Sequence, residues 1–293
     1  MQTNRILAPL ALVTLGFVAL SGCAQPEYDL TVVSFPGSMG AELSDDQTRV
    51  STGMEDMICT ADEALSVEDT WVEDERTRGL EVVDLLNAGT ALVLDIDGTI
   101  SIVDPGDWGT LEPTPEPDVV PVGDDYDDAQ FVGDTIVTLR DCEIEGAGRS
   151  LKLPAPCEGA SLHEGNGTLL VWHSDGTVYE AHPEQLIAWT NAKDLSWDGV
   201  NGQFLVLNDH TVEGWVNAAP RWSTELPVQG LDVFPFHAGV GVRDVDGFLW
   251  SMTASGRDLK PLDQSIGTDG DVVGSVGKNQ LAIYTDGLYV LPL

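Results

Sequence analysis

Pairs of carboxylates stand two residues apart before a glycine at two places in the chain. The first pair is Asp95 and Asp97, and the second is Asp244 and Asp246. Oxygen ligands of this type suit Ca²⁺, which takes six to eight of them in proteins. Each pair supplies only part of such a set. The four aspartates are therefore candidate calcium ligands, and ordinary turns without a metal are the interpretation that the spacing favours.

The cysteines indicate disulfide chemistry and not metal chemistry. The chain has four cysteines and five histidines, and none of them shows the spacing typical of a zinc site. Cys142 and Cys157 lie 15 residues apart around a stretch rich in Pro and Gly, so we predict a disulfide between them. Closing a loop of that size contributes roughly 3 kcal/mol on the entropic model. Cys59 lies in an apolar, strand-like run, which predicts a buried free thiol.

The N-terminal segment is typical of an exported protein. Arg5 is the only charge before Cys23, and Ile6 to Leu20 are apolar or small apart from Thr14. This run fits a signal peptide and is short for a membrane-spanning helix, which needs about 20 residues. It ends in Leu-Ser-Gly-Cys, which resembles the bacterial lipobox. The resemblance implies cleavage before Cys23, lipid on its thiol and anchoring at the extracytoplasmic face of the cell membrane. An ordinary signal peptide followed by a chance cysteine is the alternative.

The composition is strongly acidic. Asp and Glu number 49 against 13 Lys and Arg, which gives a formal net charge of −36. Such a surface excludes nucleic acid as a partner, because that binding depends on neutralised phosphates. Anionic lipid also repels it, so attachment to the membrane must come from the lipid anchor. The hydrophobic content of 42% predicts a folded core and argues against disorder.

A repeated hairpin organises the chain after the N-terminal segment. In each copy, apolar residues alternate on both sides of a turn that contains aspartate, often followed by glycine. Asp-Gly favours a tight hairpin, because this turn needs positive φ. The turn aspartates are Asp62, Asp97, Asp141, Asp175, Asp209, Asp246 and Asp286. Their spacing averages about 37 residues, and each copy carries three to four strand-like segments, as in a propeller blade.

The pattern resembles the PQQ-like and WD40-like β-propeller families. It predicts an all-β chain with seven blades, and six blades are the alternative because residues 35–79 fit the repeat worst. The last copy stops after its third strand, so we expect the strand from Tyr28 to Ser34 to complete that blade and close the ring. The predicted division is a signal peptide at 1–22, a lipidated tether at 23–27 and a propeller at 28–293.

The seven turn aspartates should share one rim of the propeller. Each lies in the expected hairpin between the second and third strands of its blade, and these hairpins all point the same way. Asp and Gly suit the backbone of such turns, which is the structural explanation. The functional hypothesis is an acidic face that attracts a cation or a basic segment of a partner protein.

No catalytic motif, such as Gly-x-Ser-x-Gly, occurs in the sequence. We therefore expect a non-catalytic, lipid-anchored, extracytoplasmic binding or scaffold protein of the bacterial cell envelope, with an envelope protein as its partner and no cofactor. The alternative is an envelope hydrolase or lactonase with a carboxylate or calcium site near the propeller axis. A weaker resemblance is to the outer-membrane assembly propeller lipoprotein of Gram-negative bacteria, which usually has eight blades and a longer chain.

Overall fold

The computed structural model describes residues 33–36, 38–53, 57–64, 67–71, 80–86, 90–94, 98–104, 118–123, 125–236, 239–278, 280–285 and 287–292. These residues form 28 β-strands and no helix. Accordingly, no helix in the described part of the chain is long and apolar enough to cross a membrane. The predicted signal peptide, Cys23 and the tether lie outside the described residues.

The strands follow one another at short intervals along the whole described chain. The first fourteen are β1 (Val33–Pro36), β2 (Met39–Leu43), β3 (Arg49–Gly53), β4 (Met57–Asp62), β5 (Val67–Trp71), β6 (Glu81–Leu85), β7 (Ala91–Leu94), β8 (Ile100–Asp104), β9 (Asp118–Gly123), β10 (Asp128–Val132), β11 (Thr135–Arg140), β12 (Glu143–Gly146), β13 (Arg149–Lys152) and β14 (Ser161–Gly165). The others are β15 (Thr168–Trp172), β16 (Thr177–Ala181), β17 (Leu186–Asn191), β18 (Asp194–Asp198), β19 (Gln203–Asn208), β20 (Thr211–Val216), β21 (Ala219–Glu225), β22 (Gly230–Phe236), β23 (Gly239–Asp244), β24 (Phe248–Thr253), β25 (Lys260–Ser265), β26 (Asp271–Val276), β27 (Gln280–Tyr284) and β28 (Gly287–Pro292).

The strands form five separate four-stranded sheets and one eight-stranded sheet. Four of the small sheets are antiparallel meanders in chain order, namely β10 to β13, β14 to β17, β18 to β21 and β22 to β25. The eight-stranded sheet has the order β5-β4-β3-β2-β6-β7-β8-β9. Its two halves are joined only where β2 runs parallel to β6, with Met39 opposite Glu81. Each half is therefore a meander like the separate sheets.

The fifth small sheet joins the two ends of the described chain. Its order is β1-β28-β27-β26, and Val33 and Phe35 pair with Val290 and Leu288. All four side chains are buried in one core cluster. The sequence predicts a closing strand from residue 28 to residue 34, and the strand found begins at Val33 and runs two residues further. Residues 28–32 lie outside the described part.

Core clusters between consecutive sheets arrange them in a ring. Leu205 and Leu207 of one sheet pack with Val233 and Val240 of the next, and equivalent clusters join the other neighbours. The ring closes because Val50, in the first half of the eight-stranded sheet, packs in the same cluster as the closing strand. Sheets that follow each other around a closed ring form a β-propeller, so the all-β propeller prediction is confirmed.

Three described cysteines are in disulfides. Cys142 and Cys157 are bonded to each other with their Cα atoms 5.5 Å apart, which is the pair that the spacing predicts. Cys59 is buried, as expected, but it is also disulfide-bonded, and its partner is not among the other described cysteines. The prediction of a free thiol at Cys59 is therefore wrong. An apolar strand environment accounts for burial and carries no information about oxidation state.

Replacing Phe35 with Ala should destabilise the protein strongly. Phe35 is fully buried between the closing strand and its neighbours, and a buried Phe→Ala change costs about 3–5 kcal/mol. Phe248→Ala is the matched control, because Phe248 is 52% exposed and should change the free energy of unfolding by less than about 0.5 kcal/mol. Chemical denaturation measures both. Equal effects of the two substitutions would contradict closure through β1.

Candidate functional site

A cavity of about 820 Å³ lies at the centre of the ring. Its wall takes residues from the first strand of each sheet or half-sheet, which are β2, β6, β10, β14, β18, β22 and β26. The first strands are therefore the innermost strands of the propeller. Their outward side chains enter the cores between sheets, and their inward side chains determine the chemistry of the cavity.

Strand patterning directs carboxylates into this cavity. In β10, Ala129 and Phe131 are buried in a core cluster, so the alternating residue Asp128 faces the cavity. In β6 the register shifts at a bulge between Val82 and Asp84. The bulge lets both Val82 and Leu85 enter the same core, and Asp84 lines the cavity.

The cavity wall is rich in acidic side chains. The described residues that line it include eight carboxylates and no Lys or Arg. The carboxylates are those of Glu42, Asp45, Glu81, Asp84, Asp127, Asp128, Glu164 and Asp271. His163 is the one histidine among the described lining residues, and burial lowers its pKa to about 4. The ring of His163 is thus neutral at neutral pH and offsets none of the negative charge.

Three aspartates of the first strands bind the backbone of the following sheet. In each case a backbone N–H of the next first strand donates to a carboxylate oxygen at 2.7 Å. The bonds are Phe131 N to Asp84 Oδ2, Leu162 N to Asp128 Oδ2 and Val233 N to Asp194 Oδ2. We call these the inter-sheet carboxylate bonds. They fix the inner strands relative to one another and so set the shape of the cavity.

Burial raises the pKa of each of these three aspartates to about 7, although the backbone hydrogen bonds act in the opposite direction. Glu42 has no such donor among the described residues. Burial, followed by the charges of Asp84, Asp128 and Glu81, holds the pKa of Glu42 well above its usual range. The carboxylates around Glu42 are close enough to repel one another, and no Lys or Arg of the described chain lines the cavity beside them.

On the other side of the ring, a buried carboxylate is paired with an arginine of the same sheet. Arg243 is 1% exposed and forms an ion pair with Asp232. It also donates to the backbone carbonyls of Gly267, Asp269 and Gly270. Burial raises the pKa of Asp232, and the hydrogen bond and charge of Arg243 lower it. A first-strand carboxylate is therefore paired with a cation on this side.

The turn between β2 and β3 closes one end of the cavity. Gln47 is buried in this turn. Its side chain forms hydrogen bonds with two sheets that lie far from it in the sequence. Its Nε2 donates to Asp198 Oδ1 at 3.4 Å, and its Oε1 accepts from Ser275 Oγ at 3.2 Å. In the same turn, Asp45 Oδ1 accepts from Trp197 Nε1 at 2.9 Å. The turn thus crosses the axis of the ring, and the opposite end forms the mouth.

Four of the predicted turn aspartates surround the mouth. Asp141, Asp175, Asp209 and Asp246 are exposed in turns between second and third strands. In an antiparallel meander, this turn lies at the end where the first strand begins. Asp141 and Cys142 have φ values of 50° and 65°, the positive values that a two-residue hairpin turn requires. We call these four residues the aspartate rim.

The prediction for Asp62 is wrong. Asp62 ends β4, and its turn leads to β5, so it lies between the third and fourth strands at the closed end of the cavity. The second and third strands of this half-sheet, β3 and β4, have no Asp-Gly sequence between them, and the sequence pattern therefore assigned the hairpin to the wrong pair of strands. Asp97 and Asp286 of the predicted rim lie outside the described residues.

In the described candidate calcium pair, the carboxylate of Asp244 accepts hydrogen bonds from the backbone of its own turn. Asp244 is buried, and its Oδ1 accepts from the backbone of Asp246 and Phe248 at 3.0 and 2.9 Å. Its Oδ2 accepts from Trp250 Nε1 at 2.9 Å. Asp95 and Asp97 lie outside the described residues. Within the described part of the chain, no three Asp, Glu, His or Cys side chains are placed to hold a metal ion.

The sequence analysis did not find the cavity carboxylates. Their signal is a charged residue inside an otherwise apolar first strand, such as Asp84 after Val82 and Val83. The turn aspartates repeat visibly along the chain, whereas the cavity carboxylates come from different positions of successive first strands. Only the ring brings them together.

Comparisons with known proteins agree on the fold. No protein-family model matches the sequence, and no curated protein matches it. A solved chain of the mitotic checkpoint complex has a TM-score of 0.60 at 14% identity, covering 96% of this chain and 98% of that chain. An inactive virginiamycin B lyase from Staphylococcus aureus, solved with quinupristin, has a TM-score of 0.60 at 9% identity, covering 90% and 99%.

A third similar structure is Hsv2 from Kluyveromyces lactis, with a TM-score of 0.59 at 9% identity, covering 86% of this chain and 91% of that chain. In all, 973 chains of solved structures match. Such a widespread architecture supports many unrelated functions, and identities this low establish a shared propeller fold alone. The chemistry of the cavity must therefore carry any functional argument.

Asp194→Asn should reduce the dependence of stability on pH. Because the folded protein raises the pKa of Asp194 from 3.8 to about 7, it binds the proton more tightly than the unfolded chain does. Stability therefore falls as pH rises from about 4 to about 7, by up to about 4 kcal/mol for this group. Asn keeps an oxygen for the Val233 N–H and removes the charge, so the variant should be more stable than the native protein at pH 8 and similar at pH 4.

Thermal unfolding between pH 4 and pH 8 measures this difference. Glu143→Gln is the control, because Glu143 is exposed on β12 and its only ion pair is with exposed Lys152. It should leave the pH dependence unchanged. If Asp194→Asn were less stable than the native protein at pH 8, the charge itself would strengthen the inter-sheet carboxylate bond.

Proposed function

We propose that this chain is a non-catalytic, lipid-anchored, extracytoplasmic binding protein of the bacterial cell envelope, and that its central cavity binds a cationic ligand. The observation that carries the proposal is a cavity of about 820 Å³ whose described lining residues include eight carboxylates and no Lys or Arg. Closure of one end by the turn of Gln47 supports a binding pocket with a single mouth.

Electrostatics favour a cation at this site. Carboxylates that are removed from water and repel one another gain from an opposite charge placed among them. Clefts lined by one sign of charge also concentrate the oppositely charged ligand. The aspartate rim around the mouth and the formal net charge of −36 act in the same direction over longer distances.

We also propose that the ring has seven blades. In this interpretation the eight-stranded sheet is two blades, because one parallel residue pair joins its halves. A separate core cluster, which contains Ile58 and Val82, lies between these halves, as clusters do between the other sheets. The cavity also receives one first strand from each of seven four-stranded units.

A hydrolase is the second candidate function, and one contact favours it. Ser161 Oγ lies 2.9 Å from His163 Nε2, and both residues line the cavity. This distance suits a nucleophile and its base. The surrounding carboxylates oppose the reaction, because they repel the oxyanion that forms when serine attacks a carbonyl. Labelling of Ser161 by a fluorophosphonate would support the hydrolase over the binding protein.

Replacing Cys23 with Ala should release the protein from the membrane or leave an uncleaved precursor, because the lipobox resemblance places the anchor on this thiol. Membrane fractionation and immunoblotting measure the outcome. Cys59→Ala is the matched control and should stay membrane-bound and processed. Normal processing and membrane retention of Cys23→Ala would overturn the lipoprotein proposal.

Mass spectrometry of membrane-extracted protein tests the anchor directly. A thioether-linked lipid uses the thiol of Cys23, so in the lipidated protein Cys23 cannot be the partner of Cys59, which is disulfide-bonded in the structure, and Cys59 should be a reduced thiol. The N-terminal peptide should carry diacylglycerol on Cys23. A disulfide-linked peptide that contains Cys23 would contradict lipidation.

The cavity proposal predicts that at least one cation binds with a stoichiometry of one per chain. Calorimetric titration of the detergent-solubilised protein with Ca²⁺, choline, spermidine and a lysine-rich peptide covers the main classes. Glu42→Gln should weaken that binding by about tenfold or more, since a charge-assisted contact is lost, whereas exposed Glu143→Gln should not. Absence of binding by all four cations would overturn the proposal.

A further inference from the structure

Six carboxylates of the cavity come from two positions along the first strands, which we call its two levels. Near the mouth, Glu81, Asp128 and Asp271 are the first residues of β6, β10 and β26. Deeper in, Glu42, Asp84 and Glu164 are the fourth residues of β2, β6 and β14. All six line the cavity. Three residues of strand separate the levels by at most about 10 Å within β6.

Two of these carboxylates, Glu42 and Glu81, belong to different levels. Glu42 and Glu81 receive no donor from the described residues, whereas Asp84 and Asp128 accept backbone N–H groups. Glu42 lies near Glu81, Asp84 and Asp128 and is repelled by all three charges. Each level thus has one carboxylate, Glu81 or Glu42, that is available to a ligand.

The carboxylates around Glu42 differ from Asp232 in having no cation beside them among the described residues. Asp232, on the opposite side, is satisfied by the buried guanidinium of Arg243. No described Lys or Arg lines the wall beside Glu42. The fold therefore supplies a cation to one buried first-strand carboxylate and leaves another group of carboxylates without one.

The wall between the two levels is apolar on β2 and β6 and polar on β10 and β14, where Gln130 and His163 line the cavity. Ala41 and Val83, on neighbouring first strands, line the cavity beside Glu42 and Asp84. Among the described residues the carboxylates do not converge on one point, as a metal ion requires. Separated negative charges with apolar surface between them complement a chain of methylenes that carries ammonium groups at intervals.

We propose that the cavity binds a linear aliphatic diamine or polyamine, which enters through the mouth and places one ammonium group beside Glu42 and Asp84 and a second beside Glu81. This inference rests on the proposed function and specifies its ligand class. A lysine side chain of a partner carries one ammonium group and satisfies only one level. A diamine satisfies both levels, and its methylenes cover the apolar part of the wall between them.

Calorimetric titration of the full-length, detergent-solubilised lipoprotein at pH 8 tests the proposal. The probes are 1,4-diaminobutane, spermidine, butylamine, Ca²⁺ and a lysine-rich peptide. Spermidine and the diamine should bind one per chain and at least about tenfold more tightly than butylamine, because the second ammonium group adds a charge-assisted contact. Ca²⁺ and the peptide should bind more weakly than spermidine.

Two substitutions separate the levels. Glu42→Gln should weaken both diamine and butylamine, whereas Glu81→Gln should weaken the diamine by about tenfold and leave butylamine nearly unchanged. Glu143→Gln on the outer surface is the control and should bind all probes normally. Since Glu81 is exposed at the mouth, its substitution keeps the test informative even if Glu42→Gln fails to fold.

The outcomes distinguish this inference from the proposed function. Equal affinity for butylamine and the diamine would overturn the two-level ligand while leaving a cation-binding cavity. Binding of Ca²⁺ or the peptide in preference to spermidine would overturn the polyamine class in the same way. Absence of binding by every cation would overturn both proposals.

Discussion

Burial of carboxylates at the centre of the ring is the constraint on which the rest of the structure depends. A buried carboxylate is costly unless donors surround it, and here the donors are backbone N–H groups of the following sheet. The bond from Leu162 to Asp128 therefore joins two sheets while it satisfies a charge. The same groups that position the inner strands also make the cavity acidic, so the hydrogen bonds that hold the ring together also determine the chemistry of its cavity.

The two sides of the ring illustrate two solutions to that constraint. Arg243 pairs with Asp232, so that carboxylate needs no ligand to balance its charge. Removal of either partner would leave a buried charge. Around Glu42 the charges repel one another, and the folded state carries a cost. Proteins commonly keep such strain at binding sites, because a ligand that relieves it gains affinity. The stability of the other interfaces offsets this local cost.

The sequence predicted the features that depend on neighbouring residues and missed those that depend on the ring. Alternation around Asp-Gly turns was sufficient for the all-β propeller and for the position of Asp175 and Asp246 near the mouth. The turn at Asp62 was assigned to the wrong strand pair, because one half-sheet lacks the repeated motif. Asp84 was missed since a bulge in β6 changes which side chains face inward, and single-sequence patterns do not reveal bulges. The disulfide of Cys59 was likewise missed, because an apolar strand pattern carries no information about oxidation state.

The pairing of β1 with β28 has a consequence for how the protein reaches its folded state. A chain synthesised from its N-terminus presents β1 before all the other described strands and its partner β28 after them. Until nearly the whole chain has emerged, the edge of β1 is unpaired, and β2 lacks the sheet that later packs beside it. Non-local pairing of this kind slows folding. The ring therefore closes only after the final strand is available, and a chain that lacks β28 leaves an open edge prone to aggregation.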